Sequence, residues 1–352
     1  MRALIDRSHS RARARRLTVV AVLCGAVVAA APVPATAEET APAAAAPTVR
    51  CSITDPRLAE LSGLVVVGEQ MLALNDGGDQ VTVHGLDGGC AVVDVQTTPV
   101  DPFDPEDLAV GPHGAVWIAD TGDNNGERST VALHVLRPGG GSALYRLTYP
   151  DGAHDAEALL MAPDGTPYLV TKEVLGSSGV YRPAGPLVDG GTVGTERVGT
   201  VNVTLTGTPG GPVGRAGQLM ITGGAVAGDG SAIALRTYTD AYVWSLAGSD
   251  VPGALAGEPV RVALPESPQG EAISFTEDGG GLVVASEGLP SDVTVVPLPA
   301  SAAAPTATPS GEPAPAFADL VESQASPIAA ALLAAVIATV VVGVGGLLRR
   351  RS

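Results

Sequence analysis

Hydrophobic and polar positions follow a repeated pattern through the middle of the 352-residue chain. Five times, a short apolar run leads into a Gly- and Asp-rich or polar turn and then into a second apolar run that ends in polar residues. Two apolar runs around such a turn are typical of a β-hairpin. Each unit begins with an oxygen-bearing side chain, and these are Ser62, Glu106, Glu157, Thr222 and Glu271.

The spacing of the five units predicts the architecture. Successive units begin roughly 44 to 65 residues apart, the interval expected of propeller blades built from four strands. Two further apolar runs follow most hairpins, but only one follows the last, so segment 48–53 is expected to supply the missing strand. The sequence therefore predicts an all-β fold, a five-bladed β-propeller over residues 48–298, with six blades as the alternative count. Closure by the N-terminal strand would leave no exposed edge.

The segments on either side of the predicted propeller differ in composition. Residues 1–37 combine arginines, an apolar stretch and a small-x-small ending, which predicts a signal peptide followed by a linker at 38–47. Residues 299–326 are rich in Ala, Pro, Ser and Thr, which indicates a second linker without a core of its own.

An uncharged apolar run follows the second linker. It predicts a transmembrane helix at 327–348 and a cytoplasmic tail at 349–352, because three arginines stand at its end. The alternative for this run is a buried core helix. On the first interpretation the protein is a single-pass protein of the cell membrane, with an extracellular propeller and a cytoplasmic C-terminus.

The net charge limits the classes of partner that the protein can bind, and the cysteine content bears on its redox compartment. The formal net charge is −17, which argues against nucleic acid as a partner and favours cations. Outside the predicted signal peptide only Cys51 and Cys90 remain. In an exported protein this pair predicts one disulfide, with two separately buried thiols as the alternative.

The five oxygen-bearing residues are the main candidates for chemistry. In a propeller the first strand of each blade lines the axis, so side chains at one register converge on one level of the channel. Converging carboxylates repel one another unless a cation lies between them. Calcium tolerates six to eight oxygen ligands, and the set contains no His or Cys that would favour zinc. The predicted calcium ligands are Ser62, Glu106, Glu157, Thr222 and Glu271; the alternative is that they cap strands or pair with Lys172 and Arg236.

A second polar ring is expected at the channel mouth, where each second strand ends beside the start of a first strand. The candidate substrate-binding residues of this ring are Asp76, Asp120, Asp123, Lys172, Arg236 and Glu287. The two cations could hold an anionic substrate against a metal, as hydrolytic and phosphoryl-transfer sites do, or they could form salt bridges that neutralise the rim.

Several of these motifs carry a resemblance. Over about residues 58–290 the chain resembles a family of secreted bacterial β-propeller proteins, through Glu60-Leu61-Ser62-Gly63-Leu64, Glu106-Asp107-Leu108-Ala109, Asp155-Ala156-Glu157-Ala158-Leu159, Arg236-Thr237-Tyr238 and Gln269-Gly270-Glu271-Ala272. More distantly, the ring of five oxygens is similar to that of calcium-activated nucleotidases of the soluble apyrase type. That resemblance implies five blades and a central calcium held at the five ring positions. Thr222 stands where that family has Ser, and the loops here are shorter and Gly-rich. A looser similarity to phytase-like propellers implies phosphoester chemistry.

Two functions follow from the sequence. The first is a membrane-anchored binding or scaffolding module at the cell surface, with a surface protein as partner and calcium stiffening the ring. The alternative is a calcium-dependent extracellular hydrolase of a phosphoester or another small anionic ligand. Whether the protein is an enzyme stays open at this stage, because no nucleophile stands beside a recognisable base.

Overall fold

The computed structural model describes residues 45–299 and residue 302. These residues form an all-β fold of twenty strands, with one short α-helix, α1 (Val251–Leu255), and three 3₁₀ helices at Pro56–Leu58, Pro112–Gly114 and Gly214–Leu219. The predicted signal peptide, transmembrane helix and tail lie outside the described residues, as do nearly all of the two predicted linkers. No helix within the described part of the chain is long and apolar enough to cross a bilayer.

Each run of apolar positions between turns forms a strand, and consecutive strands pair antiparallel in groups of four. The first group contains β2 (Leu61–Val67), β3 (Gln70–Asn75), β4 (Val81–Leu86) and β5 (Val92–Thr98). The second contains β6 (Pro105–Val110), β7 (Val116–Asp120), β8 (Val131–Leu136) and β9 (Ser142–Thr148). The third contains β10 (Ala156–Met161), β11 (Pro167–Thr171), β12 (Ser177–Pro183) and β13 (Thr192–Asn202).

The last two groups complete the set. The fourth contains β14 (Ile221–Val226), β15 (Ala232–Thr237), β16 (Asp240–Ser245) and β17 (Val260–Ala263). The fifth contains β18 (Gly270–Phe275), β19 (Gly281–Ser286), β20 (Ser291–Pro297) and, from the other end of the chain, β1 (Thr48–Ile53). Because β1 pairs antiparallel with β20, the predicted closure by the N-terminal strand is confirmed.

The predicted disulfide is also confirmed. Cys51 of β1 is bonded to Cys90, with a Cα–Cα distance of 5.8 Å. Cys90 lies in the turn before β5, with a left-handed φ of 67°. The bridge therefore joins the strand that completes the fifth group to the outer turn of the first group.

One pairing was not predicted. Residues Thr192–Gly194 of β13 pair in parallel with Arg146–Thr148 of β9, so the second and third groups share one eight-stranded sheet. The first residues of β13, Thr192–Gly194, are small or largely exposed, so their sequence contains no signal for this pairing.

The first strands of the five groups contact one another in the closed order β2, β6, β10, β14, β18 and back to β2. This is a propeller-like arrangement. Apolar side chains fill the space between neighbouring groups, as Leu160, Val170, Ile221, Leu235 and Trp244 do between the third and fourth.

The two ends of this ring differ in chemistry. At the end where the first strands finish, a cavity of about 650 Å³ is lined by residues of all five strands, including Val66, Val110, Met161, Val226 and Phe275, together with polar residues such as Ser274 and Thr276. The opposite end, where β2, β6, β10, β14 and β18 begin, carries the acidic side chains. We call this second end the mouth.

Candidate metal centre at the mouth

The five predicted ring residues occupy the same structural position. In every first strand the ladder with the second strand shifts register at the predicted residue, so each one lies at a β-bulge: Ser62, Glu106, Glu157, Thr222 and Glu271. A bulge removes a residue from regular pairing and changes the direction of its side chain. All five side chains are buried. The repeat found in the sequence is therefore a repeat of bulges at the mouth.

The two hydroxyl residues connect neighbouring first strands. Ser62 Oγ donates to the main-chain oxygen of Glu106 at 2.5 Å and lies 3.2 Å from its Oε2. Thr222 Oγ1 donates to the main-chain oxygen of Gly270 at 2.8 Å. Both hydroxyls thus hold adjacent groups together at the level of the bulges.

Three carboxylates form a compact cluster. Ligand oxygens of Glu106, Asp155 and Glu157 all lie within 4.8 Å of one another. Two of these residues were predicted as metal ligands, and Asp155 was not. Glu271 stands outside this cluster, where Gln269 Nε2 donates to its Oε1 at 2.9 Å and also to Glu287 Oε2.

A glycine allows the cluster to form. A Cβ atom at Gly122 would lie 2.1 Å from Glu106 Oε1 and 2.4 Å from Asp104 Oδ2. The backbone after β7 therefore runs directly against two carboxylates, and Gly122 N donates to the main-chain oxygen of Asp104 at 3.0 Å. Any side chain at position 122 would displace Glu106 or Asp104.

Lys172 supplies a positive charge within the cluster. Its Nζ forms an ion pair with Glu157 Oε1, and it lies 5.6 Å from the ring centroid of Tyr238. Burial disfavours the ammonium ion, but Glu157 offsets this effect and the pKa of Lys172 rises. The salt-bridge interpretation of Lys172 is therefore the one that the structure shows.

The buried carboxyl groups at the mouth outnumber the single positive charge of Lys172. Burial raises the pKa of Glu106 well above its usual range, and Glu157 and Asp104 raise it further. Burial also raises the pKa of Glu157, even though Lys172 acts in the opposite direction. The pKa of Glu271 is raised to about 9 by burial and by Glu157 and Glu287. Such groups ionise readily only if a cation approaches them.

Arg236 is placed differently from Lys172. Its side chain is 1% exposed, and Nη1 donates to the main-chain oxygens of Ala272 at 2.8 Å and Ala285 at 3.0 Å. A Cβ atom at Gly270 would lie 2.0 Å from Nη2. The guanidinium is thus enclosed between the fourth and fifth groups, where it bonds to main-chain carbonyls.

The remaining candidates of the second ring divide into two kinds. Asp120 bonds to Arg128 at 2.9 Å and to His134 at 3.1 Å, and these contacts outweigh burial and lower its pKa to about 2. Asp123 accepts the main-chain N–H groups of Glu127 and Arg128 and so stabilises its own turn. Both aspartates build the loop after β7.

Asp76 and Glu287 lie at the ends of second strands and face the mouth. The main-chain N–H of Asp76 donates to Glu60 O at 2.9 Å, and that of Glu287 donates to Gln269 O at 2.8 Å. Burial and the carboxylates of Glu60 and Glu287 raise the pKa of Asp76 to about 6. These two residues extend the acidic surface outward from the cluster.

The sequence contained a signal for Asp155 that the first interpretation overlooked. Asp104 and Asp155 each stand two residues before a predicted ligand, and side chains two apart on a strand share a face. Glu60 and Gln269 occupy the same offset in their own groups. A search for a second repeated polar position would have found these four residues.

Asp107 is a further buried carboxylate that no sequence pattern indicated. It accepts the main-chain N–H groups of Leu108 and Leu159 at 2.8 Å each and of Gly224 at 3.3 Å. These donors belong to the second, third and fourth groups. Burial raises its pKa to about 8. Asp107 thus joins three groups near the axis.

Comparison with known proteins adds little beyond the fold. No protein-family model and no curated protein matches the chain. A gluconolactonase from Xanthomonas campestris is 18% identical over 68% of this chain and 73% of that chain, with a TM-score of 0.41. A PQQ-bound aldose sugar dehydrogenase from Streptomyces coelicolor is 12% identical over 71% and 98%, with a TM-score of 0.38. A glutaminyl cyclase from Myxococcus xanthus is 15% identical over 72% and 97%, with a TM-score of 0.39. Similarities this weak carry no argument about ligand or activity.

Proposed function

We propose that the protein is a five-bladed β-propeller that acts as a binding module, with a calcium ion held at its mouth by Glu106, Asp155 and Glu157. Each four-stranded group would be one blade. The closed order of contacts among the five first strands supports this count, as does the completion of the fifth group by β1.

The compact cluster of three buried carboxylates is the observation that carries the proposal. Carboxylate oxygens are hard ligands, and calcium accepts irregular sets of them with water in the remaining positions. Lys172 balances one negative charge, so the cluster with Asp104 nearby keeps an excess that a divalent cation would neutralise. Binding of the ion would release protons from carboxylates whose pKa is raised.

A binding role fits the mouth better than phosphoester hydrolysis. The hydrolase alternative depends on Lys172 and Arg236 to hold an anionic substrate. Lys172 is paired with Glu157, and Arg236 is enclosed among main-chain carbonyls. Neither cation is free to meet an anion, and the surrounding carboxylates would repel it.

We further propose that the module acts at the cell surface, exported by residues 1–37 and held to the membrane by residues 327–348. This part of the proposal rests on the sequence pattern alone. The acidic surface is compatible with partners outside the cell that carry positive charge.

Metal analysis and calcium titration of the purified protein test the ion site. We expect stoichiometric calcium, a melting temperature that falls with EDTA and recovers with calcium, and proton release on binding. The double variant Glu106→Gln with Glu157→Gln should lose the calcium response. The control variant Glu258→Gln, which changes an exposed side chain distant in sequence from the cluster, should keep it. A melting curve that ignores both EDTA and calcium, in protein purified without metal, would refute the site. A parallel screen with nucleotides and other phosphoesters would reveal hydrolysis if the alternative were correct.

A further inference from the structure

A long connection lies at the mouth between the third and fourth groups. Residues 203–220 join β13 to β14, and side chains hold them in place. Gln218 accepts the N–H of Thr206 at 2.9 Å and donates to the main-chain oxygen of Thr208 at 2.9 Å. Asp240 accepts both threonine hydroxyls, at 2.7 and 2.8 Å. Long connections in compact domains are usually functional when they are ordered in this way.

Apolar side chains project into solvent from this connection and from the turn beside it. The two segments are joined where Val203 N donates to Gly176 O at 2.9 Å. We call the exposed set the apolar shelf, and its members are Val174 (61% exposed), Leu175 (85%) and Leu205 (48%). Exposed leucines and valines grouped in this way are characteristic of a surface that binds another molecule.

The shelf adjoins the acidic mouth. Glu173 and Lys172 directly precede Val174 in the chain, and Lys172 N donates to Asp155 O at 2.9 Å. The positive charge at this end is largely engaged, since Arg57, Arg128 and Lys172 all form ion pairs with carboxylates; Arg215 is the basic residue of the long connection itself. The mouth therefore combines excess negative charge with a neighbouring apolar surface.

We propose that the apolar shelf and the mouth carboxylates together bind an extended segment of a partner protein in which a lysine or arginine is flanked by bulky apolar residues. The inference deepens the proposed binding role by naming the class of partner, and it rests on that role. Charge complementarity selects this occupant. A second copy of this acidic chain, an anionic lipid surface and nucleic acid would each bring like charge to the mouth.

The basic and the apolar side chains of the bound segment would contact different parts of the site. The basic side chain would meet half-buried carboxylates such as Glu173, Asp76 and Glu287, which border the cluster without belonging to it. The flanking apolar side chains would cover Leu175 and Leu205. Burial of these apolar side chains would contribute affinity, and charge would contribute selectivity and association rate.

Calorimetry with synthetic peptides tests the inference. The probe is a nine-residue peptide with a central arginine flanked by leucines. Matched peptides carry citrulline or glutamate at the centre, or serine at the flanks. The protein is the full chain in nanodiscs with calcium present. We expect binding of the arginine and leucine peptide and at least tenfold weaker binding of each matched peptide.

Two double variants localise the interaction. Leu175→Ser with Leu205→Ser should weaken peptide binding at least tenfold, whereas Val93→Ser with Val95→Ser, which changes two exposed apolar residues on β5, should leave it unchanged. The melting temperature of each variant verifies folding. Absence of binding by the arginine and leucine peptide, equal binding of the glutamate peptide, or undiminished binding by the shelf variant would each overturn the inference.

The calcium titration separates this inference from the proposed function. The shelf variant keeps Glu106, Asp155 and Glu157, so its calcium response should match that of the unmodified protein. If peptide binding fails while the calcium response persists, only the proposal that the apolar shelf binds a partner is refuted. If the calcium response fails while peptides bind as expected, only the proposed calcium site is refuted.

Discussion

Individual carboxylates at the mouth are held in surroundings that disfavour their charge. Glu106, Glu157 and Glu271 lie on bulges and are buried, and Lys172 pairs with only one of them. Asp107 belongs to the same region but plays a different part, because three main-chain N–H groups surround it. Position 122 must be glycine for Glu106 to stay where it is. Three predictions concern these side chains.

Asp107 should contribute strongly to stability. The Asp107→Ala change leaves three main-chain donors without an acceptor, and we expect the free energy of unfolding to fall by about 2 to 4 kcal/mol. Urea denaturation measures the change. Asp164→Ala is the matched control, because Asp164 accepts one N–H from Thr166 in an exposed turn. Equal losses in the two variants would show that Asp107 does not join the groups as described.

Gly122→Ala should weaken calcium binding without unfolding the protein. The added methyl group would displace the carboxylate of Glu106, and we expect the dissociation constant for calcium to rise about tenfold or more, as for other changes beside a metal ligand. Gly228→Ala is a suitable control, because nothing lies within 4 Å of the added carbon. Unchanged calcium affinity in the Gly122→Ala protein would argue against Glu106 as a ligand.

The raised pKa of Glu271 predicts a pH dependence of stability. Its pKa is about 9 in the folded protein and ordinarily 4.5, so the folded state holds the proton more tightly than the unfolded state. The resulting stability is complete below about pH 4.5 and is lost as the pH rises toward 9. In EDTA-treated protein the melting temperature should therefore fall as the pH rises across this range. The melting temperature of the Glu271→Gln protein should fall less steeply than that of the Glu258→Gln protein. Equal slopes of melting temperature against pH in the two variants would contradict the raised pKa of Glu271.

Strands and turns explain how these side chains come together. Each first strand carries its bulge at the mouth, and the end of the second strand lies beside its start, as with Asp76 against Glu60. Repetition of this hairpin brings the same register to one level of the ring. The disulfide and the β1–β20 pairing then join the first and last elements of the fold.

Loss of the disulfide should destabilise the fold measurably. The bridge spans a sequence separation of 39 residues, and removing it with Cys51→Ser and Cys90→Ser should lower the free energy of unfolding by about 3 to 4 kcal/mol in the chain-entropy model. Denaturation of the oxidised protein, the reduced protein and the double variant provides the comparison. Free thiols at both positions in protein isolated under non-reducing conditions would contradict the bridge itself.

At the scale of the whole molecule, the net charge favours one class of partner, and the topology determines at which end of the ring the chain leaves the fold. A net charge of −17 favours cationic partners, and the acidic mouth and the 650 Å³ cavity lie at opposite ends of the ring. The chain leaves the described fold after β20, whose end is on the cavity side, since β20 begins at the mouth. If the segment at 327–348 anchors the protein, the mouth can face away from the membrane.

Truncation tests the predicted anchor. A chain ending at Ser301 keeps every described strand but lacks the apolar run and the final arginines. We expect it to be released into the medium as folded protein, whereas the full chain should fractionate with the membrane. Calcium response and intact disulfide would verify folding of the released form. Retention of the truncated chain in the membrane would show that residues 327–348 are not what holds the protein there.

Local patterns in the sequence determined much of the fold. Alternating apolar runs and Gly- and Asp-rich turns predicted the hairpins, because strand periodicity and turn chemistry depend on near neighbours. The count of strands after Glu271 predicted that residues 48–53 close the last group. Two cysteines outside the predicted signal peptide predicted the disulfide. The repeat also identified Glu106 and Glu157 as residues that meet near the axis.

Contacts between distant segments were decided only by the tertiary structure. The sequence placed five oxygens at one register, but in the folded ring Asp155, and not Glu271, completes the cluster with Glu106 and Glu157, and the loop at Gly122 packs directly against Glu106. Arg236 looked like a mouth residue and instead lies among main-chain carbonyls. Asp107 and the parallel β9–β13 pairing left no local pattern. In each case the decisive partner belongs to another group of strands, so its position depends on how the groups pack, which near neighbours in the sequence do not encode.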